Sequence, residues 1–394
     1  MSTAGRAGLT YDPRMPMSDQ ALNRALLARQ GLIERHRRPL AEVVESVGAL
    51  QAQHWPAVAQ GLWTRVDGLT TGDLYAALGR GELLLGTSLR RTLHLTSARE
   101  HAAYAAAADG AGVNEWRRAK AEPTARAGEL RAELLRYTSR RARTGDQIAE
   151  FVEDWIKRHP DTFDAAEADA QRQYKWRAFY TWSALVRAPE DGEWSGRAPA
   201  AFRTAPCPPG SDRAPSPDDA LADVVRRHLR AFGPAAAEDV AAWTGWRVPP
   251  VRAALERLSS ELERFTDGAG RTLYDVPDGP RPEAGTEVPA RLLPAFDSTL
   301  LAYTPKHRGR ILPDDVKDRV YARANLQIKP TVLVDGVVAG LWKINATKRT
   351  ATVTVTAFRR LDKKTRGVVE AEAGELLRFD QPDVPQHRVV FDEG

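Results

Sequence analysis

LADVVRRHLRAFGPAAAEDVAAWTGWRVPPVRAALERL occupies residues 221–258 and carries the clearest fold pattern in the chain. Apolar residues recur at helical spacing at both ends of this stretch, and the breaks at Gly233-Pro234 and Gly245 divide it into three helices. A turn at residues 267–270 then predicts a hairpin. Three helices and a hairpin within about sixty residues are typical of a winged helix-turn-helix module, which we place at residues 216–280.

The chain before this module repeats the same order of elements. Residues 18–96 show three helical patterns followed by an alternating strand at 89–96, which predicts a first winged helix. Residues 97–204 are helical, with a last helix expected at 176–186, and end in a hairpin-like turn, which predicts a second winged helix.

Residues 291–394 change to a period of two. The segments 331–334 and 337–342 flank the strong turn dipeptide Asp335-Gly336, and 351–356 is a further strand. We interpret this part as a small antiparallel β-barrel or sheet. The predicted fold class is therefore α+β.

The composition is that of an ordinary folded protein with a modest basic excess. Of the 394 residues, 42% are hydrophobic and 28% are charged, and the net charge is +5. The single cysteine, Cys207, excludes disulfide frameworks and cysteine-based metal clusters, and the eight histidines lack paired ligand spacing, so we expect no metal. We expect a cytoplasmic protein, because the N-terminus lacks a signal-peptide pattern and no apolar run is long enough to span a bilayer.

Several common catalytic motifs are missing from the sequence. There is no Walker loop, no strand-linked Gly-x-Gly-x-x-Gly, no His-Glu-x-x-His and no Gly-x-Ser-x-Gly. These absences exclude nucleotide-dependent enzymes, zinc hydrolases and serine hydrolases of the common kinds.

The segment Gln51-Ala52-Gln53 is the strongest candidate for chemistry. Apolar residues at helical spacing predict a helix from Pro39 to Leu50, which would unwind before Pro56. At such an unwinding end, the two glutamines can point together into a cleft while Ala52 faces the core. Two convergent neutral amides can hold one water by donating and accepting hydrogen bonds. From spacing alone, helix-end hydrogen bonding is the more common explanation of such a pair.

Three basic segments are candidates for contacts with DNA. In the predicted strand at 89–96, one face is apolar and the other polar. Two loops at 304–310 and 343–349 concentrate cations in the all-β part. Either loop alone could be an ordinary charged turn, but the presence of two favours contacts with phosphate. The candidate residues are Arg90, Arg91 and His94 on the strand, Lys306, His307, Arg308 and Arg310 in the first loop, and Lys343, Lys348 and Arg349 in the second.

Four stretches, in the same order along the chain, resemble the AlkZ/YcaQ family of winged-helix DNA glycosylases. They are residues 48–53, 89–95, 293–301 and 332–336. The resemblance implies three tandem winged helices at 18–96, 97–204 and 216–280, then a C-terminal β-barrel at 291–394, forming a C-shaped DNA-binding surface. It also implies that Gln51 and Gln53 are catalytic. Glutamine at the second position matches the AlkZ-like branch, which is associated with self-resistance to DNA-alkylating natural products.

The function implied is monofunctional hydrolysis of bulky N7-alkylguanine adducts in double-stranded DNA. No cofactor and no obligate protein partner are implied, and we expect a monomer. No lysine accompanies the glutamines in sequence, so Schiff-base chemistry is not expected. Two alternatives stay open, namely a winged-helix transcription regulator and a protein that sequesters adducts without cutting them.

Overall fold

The computed structural model of the chain describes residues 16–111, 125–197, 199–206, 215–322 and 327–393. Within these ranges the helices are α1 (Asp19–Arg29), α2 (Leu40–Val47), α3 (Trp55–Trp63), α4 (Thr71–Gly79), α5 (Ala98–Gly110), α6 (Ala125–Arg140), α7 (Gly145–Arg158), α8 (Ala165–Gln173), α9 (Arg177–Tyr180), α10 (Pro217–Phe232), α11 (Ala237–Thr244), α12 (Val248–Arg257), α13 (Ser298–Leu301), α14 (Lys317–Val320) and α15 (Lys363–Asp380). The strands are β1 (Leu50–Gln51), β2 (Leu83–Thr87), β3 (Leu93–Ser97), β4 (Arg143–Thr144), β5 (Leu185–Ala188), β6 (Ala201–Thr204), β7 (Glu263–Thr266), β8 (Thr272–Asp275), β9 (Arg291–Leu293), β10 (Tyr321–Ala322), β11 (Gln327–Ile328), β12 (Thr331–Val334), β13 (Val337–Ala346), β14 (Thr350–Ala357) and β15 (Gln386–Glu393). Tight 3-10 turns lie at Leu89–Arg91 and Pro305–His307, and Cys207 falls outside the described residues.

The first helices begin where polar side chains can cap them. The Ser18 hydroxyl accepts a hydrogen bond from the Ala21 N–H at 3.1 Å, and α1 begins directly after Ser18. Thr70 and Asp73 bond each other's backbone N–H groups at the start of α4. Such bonds satisfy donors that the start of a helix otherwise leaves unpaired.

The elements predicted for residues 216–280 are all present. Helices α10, α11 and α12 are followed by the antiparallel pair β7 and β8, which meet at the predicted turn. Gly245 ends α11 in the left-handed conformation, with φ of 82°, which glycine adopts without steric cost.

One six-stranded sheet joins the first two predicted modules. Its order is β1-β3-β2-β5-β6-β4, and the two halves meet where Gly86 pairs with Val186. A Cβ at Gly86 would lie 2.8 Å from the ring of His101, so this junction requires glycine. The division of residues 18–204 into two separate winged helices stays a prediction.

The helix predicted at 176–186 is wrong. Helix α9 covers only Arg177–Tyr180, and the chain then enters strand β5, which pairs with β6. Trp176 and Phe179 are both buried in the core of this region.

The predicted C-terminal β-barrel is also wrong, because the sheet is open. Five strands run in the order β15-β14-β13-β12-β9, and β9 and β15 are its edges. Helix α15 returns the chain so that β15 pairs with β14 in parallel, as a helical crossover does. Because α15 covers the sheet with Val369, Ala373 and Leu376, the apolar face is buried without closure.

The open sheet packs against the first predicted module. Val43 and Leu62 share one core with Trp342 and Val353 of the sheet. A fully buried ion pair joins the same two parts, with Arg65 donating to both carboxylate oxygens of Asp297 at 2.8 and 2.9 Å. The glutamine segment and the C-terminal sheet are therefore held on either side of a shared cleft.

Candidate active site

The glutamine segment begins in the short strand β1 (Leu50–Gln51), and the prediction that it is an unwinding helix end is wrong. Helix α2 ends before Gly48, whose φ of 79° turns the chain. Strand β1 then places Gln51 opposite His94 in β3, and the Ala52 N–H donates to the backbone of β3 at 2.7 Å. Strand β1 ends at Gln51, and Gln53 lies in the bend that follows it.

The geometry expected of the pair is confirmed, although the segment follows a short strand and is not the end of a helix. Gln51 and Gln53 both line one cleft, while Ala52 is 2% exposed and packs in the core. The catalytic role of the two glutamines stays a prediction.

Pro56 lies in the first turn of a helix that was not predicted, so residues 18–96 contain four helices and the prediction of three is wrong. Trp55 and Pro56 are the first residues of α3. Proline is compatible with a first helical turn, because the N–H groups there lack helical partners. The Trp55 indole stacks on Trp194 at 6.0 Å and donates to the Ser195 carbonyl at 3.2 Å. The second predicted module thereby anchors the helix that follows the glutamines.

The cleft beside the glutamines has a volume of about 860 Å³, which suits a small-molecule or base-sized ligand. Its first wall is formed by Gln51, Gln53, His54, Pro56, Gln60 and Thr92. The facing wall is formed by Ala295, Phe296, Gln327, Ile328, Lys329, Pro330, Trp342, Lys343, Ile344, Ala346, Asp380 and Gln381. A cleft lined by both polar and apolar side chains has therefore formed between the first module and the C-terminal region.

The ionisable side chains of the cleft include two lysines and one carboxylate. Lys329 and Lys343 are exposed. Asp380 accepts hydrogen bonds from Gln60 Nε2 at 2.7 Å and from Gln381 Nε2 at 2.9 Å, which orient its carboxylate. Both lysines line the same cleft as the glutamines, although no lysine accompanies the glutamines in sequence, because folding brings them in from the C-terminal region.

Arg90 lies behind Gln51 and contacts it directly. Strand β3 begins at Leu93, so the predicted strand at 89–96 is wrong in its first half, where a tight turn puts Arg90 at φ 52° and Arg91 at φ 58°. Non-glycine residues in this region cost roughly 1–3 kcal/mol each and occur often at functional sites. Arg90 Nη2 donates to Gln51 Oε1 at 3.0 Å, and Nη1 donates to the Trp243 carbonyl.

His94, predicted to contact DNA, is instead buried beneath the site. It is 1% exposed, which leaves no surface for a phosphate. Its Nδ1 donates to the Thr92 carbonyl at 2.9 Å when the ring is neutral. Burial, with the charge of Arg90, lowers the pKa of His94 to about 3, so the ring is neutral at physiological pH.

The loop at 304–310 directs most of its cations at partners inside the protein, and its contacts with phosphate stay a prediction. His307 Nδ1 lies 2.7 Å from the Asp239 carboxylate. Arg308 donates to the Tyr303 carbonyl at 2.8 Å and to a tyrosine hydroxyl, and Arg310 stacks on the ring of Tyr303 at 3.8 Å. Lys306 is the exposed cation of this group.

The second predicted loop keeps its cations at the surface. Lys343 lies on β13 at the cleft, and Lys348 and Arg349 lie at the exposed turn between β13 and β14. Arg91 is also exposed. Their contacts with DNA stay a prediction.

Among the described residues, no group of three or more His, Cys, Asp or Glu side chains is arranged to hold a metal ion. Across the same ranges, every helix is too short or too polar to cross a membrane.

Sequence reasoning named Lys343 as a candidate but missed most of the facing wall of the cleft. Asp380 meets Gln60 across 320 residues of chain, and Trp342 and Phe296 come from different segments of the C-terminal region. No local pattern predicts such pairings. The helical spacing of the apolar residues in 369–377 was the one available signal for α15, which carries Asp380.

Two comparisons with individual proteins find relatives from Streptomyces sahachiroi. A protein named "Interstrand DNA cross-link repair glycosylase" is 29% identical over 171 residues, which cover 42% of this chain. The matched region spans 44% of that relative, which is less than half of its length.

The solved structure of Streptomyces sahachiroi DNA glycosylase AlkZ has the same fold. It superposes with a TM-score of 0.78 at 23% identity, covering 96% of this chain and 100% of that one. A family model described as "DNA glycosylase AlkZ-like" matches residues 44–379, a range that includes both glutamines and most of both walls of the cleft. The chain belongs to the AlkZ-like DNA glycosylase family.

Proposed function

We propose that this protein is a monofunctional DNA glycosylase that hydrolyses the N-glycosidic bond of bulky N7-alkylguanine adducts in double-stranded DNA. The observation that carries the proposal is the pair of neutral amides, Gln51 and Gln53, which both line the cleft. Membership of the AlkZ-like family supports the reaction class.

The proposed reaction requires little acid catalysis from these residues. N7-alkylation gives guanine a positive charge, so the base leaves readily and little acid catalysis is needed. A water must still be held against the sugar carbon while oxocarbenium character develops there. Two uncharged amides can hold that water, in place of the paired carboxylates of sugar glycosidases.

The lysines of the cleft suit phosphate contacts better than Schiff-base formation. A lysine nucleophile is usually activated by desolvation or by a neighbouring cation, and Lys329 and Lys343 are both exposed. An exposed ammonium group is a strongly hydrated point charge, which attracts the DNA backbone. We therefore propose simple hydrolysis that leaves an intact abasic site.

The size of the cleft supports a bulky substrate. Its volume of about 860 Å³ leaves room for a base together with a large substituent. The relative named for interstrand cross-link repair supports cross-links as a second class of substrate. A DNA surface with the exposed Arg91, Lys343 and Lys348 around this cleft, and a role in self-resistance to an alkylating natural product, belong to the same proposal.

Incubation of the purified protein with a duplex carrying one defined N7-alkylguanine tests the proposal. Chromatography should detect the released modified base, and a variant with both Gln51→Ala and Gln53→Ala should release far less. A sequence-specific footprint on undamaged DNA without release would instead indicate a regulator. Tight binding of the adduct without release would indicate a sequestering protein.

A further inference from the structure

The contact between Arg90 and Gln51 fixes how the glutamine amide is oriented. A guanidinium group has only hydrogen-bond donors, so the atom of Gln51 that faces Arg90 must be its oxygen. The distance from Arg90 Nη2 to Gln51 Oε1 is 3.0 Å. The Nε2 group, with its two donors, is then the part of this amide that is left for the cleft, which Gln51 lines.

Arg90 is itself held from a different part of the fold. Its Nη1 donates to the carbonyl of Trp243 in the last turn of α11, where helix carbonyls lack partners within the helix. A Cβ placed on Gly245 would lie 3.4–3.6 Å from Arg90, so the end of α11 packs closely on this residue. Within the described ranges Arg90 forms no ion pair with a carboxylate, and its guanidinium is directed at two carbonyl-type oxygens.

A charged donor on Oε1 also makes Gln51 a better donor on its other side. Hydrogen bonds in a chain polarise one another, and a bond from an ionised donor is stronger than a neutral one. Burial and the charge of Arg308 lower the pKa of Arg90 to about 10, so its guanidinium remains protonated at physiological pH.

We propose that Arg90 is a positioning residue that gives the two glutamines different tasks. Gln51 donates from Nε2 to the oxygen of the attacking water, and Gln53 accepts a hydrogen bond from the same water through Oε1. The C1′–O bond forms as the bond from C1′ to the base breaks. The electron pair of the broken bond returns to the cationic base, which leaves neutral, and the proton of the water passes to solvent. This inference rests on the proposed glycosylase function.

Glutamate substitutions separate the two tasks, because a carboxylate accepts hydrogen bonds but cannot donate. Gln51→Glu should lower the single-turnover rate as far as Gln51→Ala does, on the order of ten- to a thousandfold. Gln53→Glu should stay within about threefold of wild type, because the acceptor is kept. Equal losses in the two glutamate variants, or the reverse order, would overturn the assignment.

A double-mutant cycle tests whether Arg90 acts through Gln51. Arg90→Met should slow base release about tenfold in the wild-type background and less than about twofold in the Gln51→Ala background. Arg80→Met, which removes an exposed arginine, is the matched control and should change neither rate. The same loss from Arg90→Met in both backgrounds would mean a merely structural role.

The amide of Gln51 can also be observed without any reaction. In protein labelled with ¹⁵N in the glutamine side chains, Gln51→Ala identifies the signals of Gln51 in the free protein. Arg90→Met should shift those signals and Arg80→Met should not, and unshifted signals would refute the contact. If the wild-type protein releases no base, the proposed function and the division of tasks both fail. The dependence of Gln51 on Arg90 is then decided by this measurement alone.

Discussion

The two sides of the cleft use their cations in opposite ways. Behind Gln51, Arg90 is turned inward and donates to protein oxygens, above a buried and neutral His94. On the facing side, Lys329 and Lys343 are exposed. The first arrangement stabilises one geometry of a polar group, whereas the second leaves its charge for a partner. The same residue classes in the sequence therefore carry different functions according to what folding places beside them.

The largest effect that this contrast predicts is on stability. Arg65→Met would remove the cation of a fully buried ion pair and leave Asp297 as an uncompensated charge. The free energy of unfolding of this variant, measured by urea denaturation, should be lower than that of the wild type by about 3–5 kcal/mol. Lys343→Ala is the control from the exposed side and should change stability by no more than about 0.5 kcal/mol. Equal losses of stability in Arg65→Met and Lys343→Ala would show that the buried and the exposed cation do not differ in their contribution to folding.

The exposed side should dominate the salt dependence of DNA binding. Replacing Lys343, Lys348 and Arg349 by alanine should weaken binding to any duplex, because cations that neutralise phosphates release counterions. The slope of log affinity against log salt should become shallower by up to about 0.9 for each phosphate that the protein no longer neutralises. An unchanged slope would place this segment away from DNA.

The loop at 304–310 provides the matched comparison, because its cations are mostly engaged inside the protein. Substitution of Lys306, Arg308 and Arg310 should make the slope shallower by about 0.9, the share of Lys306 alone. It should also lower stability, because the interactions of both arginines with Tyr303 are removed. A change in slope about three times as large, with unchanged stability, would show that both arginines bind DNA.

The smallest expected effects are in experiments where we expect no inhibition, no trapped complex and no release of a neutral base. EDTA should not inhibit, and borohydride should trap no covalent complex, since both cleft lysines are exposed. Cationic N7- or N3-alkylpurines should be released and uracil spared, because two amides give little help to a neutral leaving group. Efficient release of uracil would contradict the mechanism. A trapped adduct that disappears in Lys343→Gln would instead identify an amine nucleophile.

Local signals predicted much of the fold. Ser18 and Thr70 cap the helices that follow them, and the elements of residues 216–280 are those expected from Gly233-Pro234 and Gly245. The errors arose where long-range contacts decide the structure. Residues 176–186 were expected to be helical, but α9 ends at Tyr180 and residues 185–188 pair with a strand at 201–204. Helix α15 covers a sheet that was expected to close.

The candidate site was predictable in its residues and less so in its surroundings. The convergence of Gln51 and Gln53 was predicted from spacing, although it occurs where a short strand ends and not where a helix unwinds. The inward turn of Arg90 depends on Trp243, and Asp380 depends on Gln60, so neither has a local signature. Charge counting alone could not distinguish Arg90 from Lys343.

The single-turnover rate of base release from an N7-alkylguanine duplex, measured at saturating protein, tests the central claim most directly. Gln51→Ala and Gln53→Ala should each lower this rate on the order of ten- to a thousandfold, with the affinity for the duplex largely unchanged. Lys343→Ala should weaken affinity and keep the saturated rate. Near wild-type rates in both glutamine variants would contradict the account, because the chemistry would then reside elsewhere in the cleft.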